Sequence, residues 1–434
     1  MQSEQLNRTV APAIYQLQTE QLPAVTRRQL ANGVELVILN QGEQPVNRIN
    51  VVWPIGEVDV DVHSVLSVLC QMVTEGTDQH SGAAITEMLE YYGAWARMDS
   101  SQHSTVVTLH SLNHTADKVI PLLAEIVEHS NFPEEAFLRL RDKLAAQIEL
   151  NWRKVSTRSL VLSRKMLYGE SHRLARVSTG EGMRAVTRED VVELHRRLIL
   201  GARPTIYLAG YVTEELVRLV SDSFGTINFG AEPNGLQRLV TKFAAPSKSE
   251  TSFDEVPGSM QTAINIMFPT LERHNPDYEA LRFTVFALGG YFGSRLMSNI
   301  REEKGYTYGI TAALSSLPEG SRIRINCEAG NEYVADVLRE IDNEVARLAN
   351  EEMSDEELAV VKQTVMSSLT ALLDSPFTVM DYHRQIDEQN LGEDYYTYQL
   401  AELQRFNAAR AKEMAQKYLL NCAHVTALAG VKQN

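Results

Sequence analysis

Ser67, Cys70 and Gln71 stand at i, i+3 and i+4 in the stretch Val65-Leu-Ser-Val-Leu-Cys-Gln-Met-Val-Thr-Glu-Gly-Thr77. On a helical turn that spacing puts three side chains on one face, where they can converge on a single point. At about 100° per residue, Val65, Val68, Leu69 and Met72 form one stripe and Ser67, Cys70, Gln71 and Thr74 the opposite one. The apolar stripe is expected in a core, and the other is expected to face something less apolar, such as a cleft. Other chemistry-bearing patterns are weaker. The zinc motif His-Glu-x-x-His does not occur. His110 and His114 have i, i+4 spacing but straddle a strand end with no acid between them, and they read as ordinary surface or loop histidines. Gly289-Gly290 lacks the Gly-Lys-Ser/Thr of a phosphate loop and reads as a turn at a helix N-terminus.

These residues must be carried by a chain of 434 residues with 44% hydrophobic and 22% charged content, an ordinary globular balance for more than one domain. A net charge of −15 argues against a nucleic-acid binder, which needs basic patches. The three cysteines, Cys70, Cys327 and Cys422, are far apart and form no Cys-x-x-Cys pair, so neither a disulfide framework nor a zinc knuckle is expected. The first residues show no apolar signal region and no apolar run reaches membrane-spanning length. The default expectation is a soluble cytoplasmic protein, or a periplasmic one if a leader has been removed.

The chain echoes itself. Ile49-Asn-Val-Val-Trp-Pro54 resembles Ile264-Asn-Ile-Met-Phe-Pro269, 215 residues on. Thr205-Ile-Tyr-Leu-Ala-Gly210 resembles Thr426-Ala-Leu-Ala-Gly430, with the glycines 220 apart. Thr187 and Asn407, again 220 apart, are both good helix N-caps, and Asp190 completes a capping-box pattern with Thr187. A match at both ends of a long unit indicates a duplicated domain rather than a solenoid. The expected division is 1–230, a linker over 231–249 that holds Gly and Pro residues, and 250–434. Strands are expected at 33–40, 47–54, 104–110 and 204–210. Helices are expected at 64–75, 82–92, 114–129, 134–155 and 188–198, with Ser354-Asp-Glu-Glu357 as a capping box. The fold class expected is α+β: two homologous domains, each a mostly antiparallel sheet covered by helices, facing each other across a cleft.

The helix at 65–77 resembles the active-site helix of the insulinase/pitrilysin family of zinc peptidases, whose inverted motif is His-x-x-Glu-His. Counted back from Gly76-Thr77, the family's first His falls on Ser67, its Glu on Cys70 and its second His on Gln71. The third zinc ligand, a Glu, falls near Gln147. The run Leu288-Gly-Gly-Tyr-Phe-Gly-Ser-Arg-Leu-Met-Ser-Asn-Ile-Arg-Glu-Glu-Lys-Gly-Tyr-Thr-Tyr-Gly309 resembles the family's second signature, Gly-Gly, Ser-Arg-Leu, then Arg-Glu-x-x-Gly-x-x-Tyr. In active members that Arg and Tyr hold substrate near the zinc, and here they fall on Arg301 and Tyr308. Leu30-Ala-Asn-Gly-Val-Glu-Leu36, His195-Arg-Arg and Ala209-Gly210 give weaker support, so the likeness spans roughly residues 25–430.

Catalytic zinc takes three His, Cys or carboxylate ligands and an open water position, with a carboxylate nearby to accept the proton. Ser67 and Gln71 are poor ligands, Gln147 carries no charge, and Cys70 cannot replace the Glu base. The resemblance therefore implies a chain with no catalytic residues or bound cofactor of its own, inactive alone. It would be the non-catalytic subunit of a heterodimeric zinc metalloendopeptidase. Arg301 and Tyr308 would bind peptide substrate in the active site of a partner subunit that carries His-x-x-Glu-His and the zinc. The alternative is a non-enzymatic peptide-binding or scaffold protein of the same fold that self-associates as a homodimer. Neither reading involves nucleic acid or membrane.

Overall fold

Ile49, Val51 and Trp53 alternate along one strand with Arg48, Asn50 and Val52, and all six side chains are buried. A strand closed on both faces needs a cover on each side of its sheet. The computed structural model, which describes residues 9, 21–57, 59, 63–230 and 240–432, shows where those covers come from. The first sheet contains β1 (Thr26–Gln29), β2 (Glu35–Asn40), β3 (Val46–Trp53), β4 (Trp95–Ser100), β5 (Thr105–Leu112) and β6 (Thr205–Gly210). Its strand order is β1-β2-β6-β3-β5-β4, antiparallel except for the pair β2/β6. The second contains β7 (Glu250–Glu255), β8 (Gln261–Thr270), β9 (Thr307–Ser315), β10 (Ser321–Gly330) and β11 (Val425–Gly430). Its order is β7-β11-β8-β10-β9, again antiparallel except for the pair β7/β11. The repeated segments occupy the same places: β3 lies beside β6 with Ile49 opposite Leu208, and β8 lies beside β11 with Ile264 opposite Leu428.

One face of each sheet packs on the helices of its own half and forms a large apolar core. The other face is covered by a helix from the opposite half. Helix Pro376–Glu388, capped by Ser375 with proline at its start, lays Val379 and Met380 on Val37, Leu39, Val52, Tyr207 and Ala209 of the first sheet. Helix Val155–Tyr168 packs against β8 and β11 in return, with Leu167 and Tyr168 near Met267 and Val425. The two helices begin 221 residues apart, so the exchange follows the sequence repeat.

Polar contacts fix both helices. Arg48 bonds Asp381 through both terminal nitrogens, at 2.9 and 2.7 Å, and donates to the Phe377 carbonyl at 2.8 Å. Asn265 donates to Ser159 Oγ at 2.6 Å, and Arg158 pairs with Asp254, its Nε lying 2.6 Å from Oδ2. A cavity of about 520 Å³ remains between the halves, lined by Pro54, His103, Arg273, His274 and Asn390 among others. The α+β architecture of two like sheets with helices is thus the one expected.

Several local expectations are refined. The helix expected over 134–155 is two, Glu134–Asn151 and Val155–Tyr168, broken by a turn so that the second can cross to the other half. The helix expected over 188–198 is α-helical only over Arg188–Leu194 and continues as a π-helix to Leu200. The Thr187–Asp190 capping box is present, and Asn407 caps its helix as expected. The Ser354 box is only half made: Ser354 Oγ accepts from Glu357 N, but the Glu357 carboxylate is taken by Arg295 at 2.7 and 2.8 Å. His110 is not a surface histidine. It lies on β5, stacked 4.3 Å from Trp95 and edge-on to Phe377, where burial and the nearby Arg48 and Arg97 lower its pKa to about 4. Gly289 ends helix Tyr278–Gly289 with Gly290 as its C-cap, so the glycine pair closes a helix rather than opening one. Within the expected linker, residues 231–239 lie outside the described residues.

Candidate functional site

Helix His63–Met72 buries Val65, Leu66, Val68, Leu69 and Met72 in the first core. The opposite stripe is graded. Ser67 and Cys70 are half-buried and Gln71 is exposed, while Thr74 falls beyond the helix end. Burial pushes the Cys70 thiol up to about 12, beyond what a hydrogen bond with Ser100 offsets, and the charges of Asp99 and Glu57 act in the same direction as burial. The helix packs beside Glu134–Asn151, as the resemblance requires, but Gln147 is exposed and turns to Asn151 Oδ1 at 3.2 Å. The residues that share a cavity of about 330 Å³ with Ser67 include Ile148, Asn151, Glu57 and Arg164.

This donor set does not fit zinc. It offers a hydroxyl, two carboxamides on the surface and one thiol held protonated, where the metal needs anionic or imidazole ligands. Among the described residues no group of three or more His, Cys, Asp or Glu is placed to hold a metal ion.

The second set is built differently. Helix Tyr278–Gly289 can lie close to β9 because Gly289 has no side chain: a Cβ there would sit 2.6 Å from Ala312 N and 2.7 Å from Ala312 Cβ. The chain then turns through Gly290-Tyr-Phe-Gly293 and enters a π-helical stretch, Met297–Glu303, that contains Arg301. Such widened turns occur often at functional sites. Tyr308 follows on β9, an edge strand, next to buried Thr307, whose hydroxyl bonds the Glu328 carbonyl at 2.6 Å. The structure therefore brings Arg301 and Tyr308 together: Arg301 Cζ lies 5.2 Å from the Tyr308 ring centroid.

It also adds a residue that the sequence reading missed. The Phe292 ring centroid lies 4.8 Å from the same Arg301 Cζ. Both rings are open to solvent, Phe292 at 61% and Tyr308 at 87%. The guanidinium makes no hydrogen bond and no ion pair among the described residues; its recorded interactions are the two ring contacts. Among the described residues its N–H donors are unused. Among the described residues no hydrogen bond or ring contact joins Arg301 or Tyr308 to Ser67, Cys70, Gln71 or Gln147, so the two sets do not interact directly.

A duplicated α+β unit, with a motif helix in its first half and an Arg–Tyr pair in its second, defines a chain of metallopeptidase build. Comparison with known proteins agrees. Residues 67–173 match the model of insulinase, peptidase family M16, and residues 185–365 match the M16 inactive domain. The chain belongs to the M16 insulinase family. It is 21% identical over 318 residues to the uncharacterized zinc protease YmxG of Bacillus subtilis, covering 73% of this chain and 76% of that one. It is likewise 21% identical over 247 residues to the non-peptidase homolog YmxG of Helicobacter pylori, covering 56% of each. A crystal structure of a peptidase M16 inactive domain from Pseudomonas fluorescens superposes with a TM-score of 0.84 at 22% identity, over 94% of this chain and 98% of that one, and so shares the fold.

Proposed function

We propose that this chain is the non-catalytic subunit of a two-chain zinc endopeptidase. It lends Arg301 and Tyr308 to the active site of a partner that carries His-x-x-Glu-His and the zinc. The observation that carries the reading is the state of Arg301, a guanidinium steadied by two exposed rings with none of its five N–H donors used among the described residues. Arginine N–H groups and a tyrosine hydroxyl together can hold a peptide carbonyl and the oxyanion that grows on it. The degenerate set on helix His63–Met72 supports the same division of labour, because zinc hydrolysis has no ligands or base there. The partner's metal would polarise the scissile carbonyl and activate water, while this chain would bind and orient the peptide.

The test is a complex reconstituted with a chain bearing His-x-x-Glu-His. A charge-assisted hydrogen bond of about 1.5–3 kcal/mol corresponds to roughly tenfold to hundredfold in rate. Arg301→Ala should lower kcat/KM by that much, and Tyr308→Phe by less, with the subunits still associated on gel filtration. Unchanged kinetics for both variants refute the shared site. A stable homodimer that ignores such a partner favours a peptide-binding or scaffold role instead.

A further inference from the structure

We infer that Phe292 positions Arg301 and selects what is presented beside it. The site takes a peptide segment in which the carbonyl bound by Arg301 is flanked by an apolar or aromatic side chain. The inference rests on the shared-site reading for the role of Arg301, and adds to it a third residue and a substrate class.

Tyr291 and Phe292 are adjacent in one turn but are used in opposite ways. Tyr291 stacks on Phe286 of the preceding helix, with centroids 5.1 Å apart, and anchors the turn to the second core. Phe292 takes no part in that stack and projects into solvent, touching Arg301. A phenylalanine so exposed gains little for the fold, since apolar area stabilises only when removed from water. What it does supply is a surface for the guanidinium. A cation against a ring face is held electrostatically, and a planar guanidinium so held keeps its N–H groups in a defined direction. Arginine otherwise has several freely rotating bonds, and ordering them on binding weakens affinity.

The two rings also set what accompanies the carbonyl. A peptide that reaches the N–H edge of Arg301 must pass Phe292 or Tyr308, and the side chain next to the bound carbonyl falls on one of them. A phenylalanine or leucine there covers exposed ring surface, whereas a serine covers almost none. Aromatic pairs of this kind are worth about twofold to tenfold in affinity beyond their area.

The test uses the full chain and two fluorescein-labelled decapeptides, acetylated and amidated at their ends and identical except for a central phenylalanine or serine. Anisotropy titrations should show the phenylalanine peptide bound about threefold to tenfold more tightly. Phe292→Ala should abolish that preference and weaken both peptides, Phe292→Trp should restore it, and Arg301→Ala should weaken both peptides alike. A preference that survives Phe292→Ala overturns the inference, as does failure of the wild-type chain to bind either peptide at millimolar concentration. The shared-site reading is judged separately, by the kinetics of the two-chain complex.

Discussion

Replacing Asp381 by alanine should loosen helix Pro376–Glu388 from the first sheet and destabilise the whole chain. Arg48 is 8% exposed, and its charge is met by the two Asp381 bonds, one backbone carbonyl and the Phe377 ring 5.3 Å away. Its Nε is already buried with no hydrogen-bond partner among the described residues. Removing the carboxylate leaves a buried cation with one acceptor. Breaking a fully buried pair this way costs about 3–5 kcal/mol. Here the Asp381 side chain is 43% exposed, so water can take part of its place. The expected loss falls to about 2 kcal/mol. Urea unfolding at pH 7 measures it, and hydrogen exchange should show the helix amides opening first. A second comparison isolates the charge: Arg48→Met with Asp381→Leu should cost less than Asp381→Ala alone, because no charge is left unpaired. An Asp381→Ala variant within about 0.5 kcal/mol of wild type, or a double variant worse than it, would refute the argument.

Gly289→Ala should cost about 1–3 kcal/mol in urea unfolding, since the new methyl meets the backbone of β9 rather than a movable side-chain tip; wild-type stability would show that the helix and strand can part freely. Stability should also fall between about pH 6.5 and 4. His195 is buried with its Nε2 2.9 Å from the Val127 carbonyl, and burial lowers its pKa from 6.5 to about 4. As pH falls the unfolded chain takes up that proton first, so stability present above pH 6.5 is lost on the way to pH 4, by at most about 3 kcal/mol from this group. His195→Asn should flatten the dependence, and an unchanged slope in that variant would remove His195 as its source.

The repeat, the strands and the α+β class were legible because alternation of apolar residues and a recurring Ile-Asn-x-x-aromatic-Pro segment are local signals. Which sheet each helix covers was not. Helices Val155–Tyr168 and Pro376–Glu388 were not among the expected elements, and nothing along the chain says that their apolar sides meet the other half. Arg48 gave a hint, as a charge inside an apolar strand, whose partner lies 333 residues away. At the candidate site, spacing and resemblance pointed to Arg301 and Tyr308. Phe292 carried no periodic signal, being one of two adjacent aromatics in a glycine-flanked turn, and its meaning depends on a π-helical widening that sequence patterns do not encode.

The exchanged helices make the duplication irreversible. Each copy of the repeat lacks the lid for its own sheet and holds the lid for its neighbour's. A single copy freed from the other would present a naked apolar sheet to water and a stray amphipathic helix with nothing to lie on. Two such pieces, supplied as separate chains, would be obliged to find each other before either could fold. The smallest unit that evolution can copy, lose or recombine here is therefore the pair, and the bond between the copies does not run through helix His63–Met72.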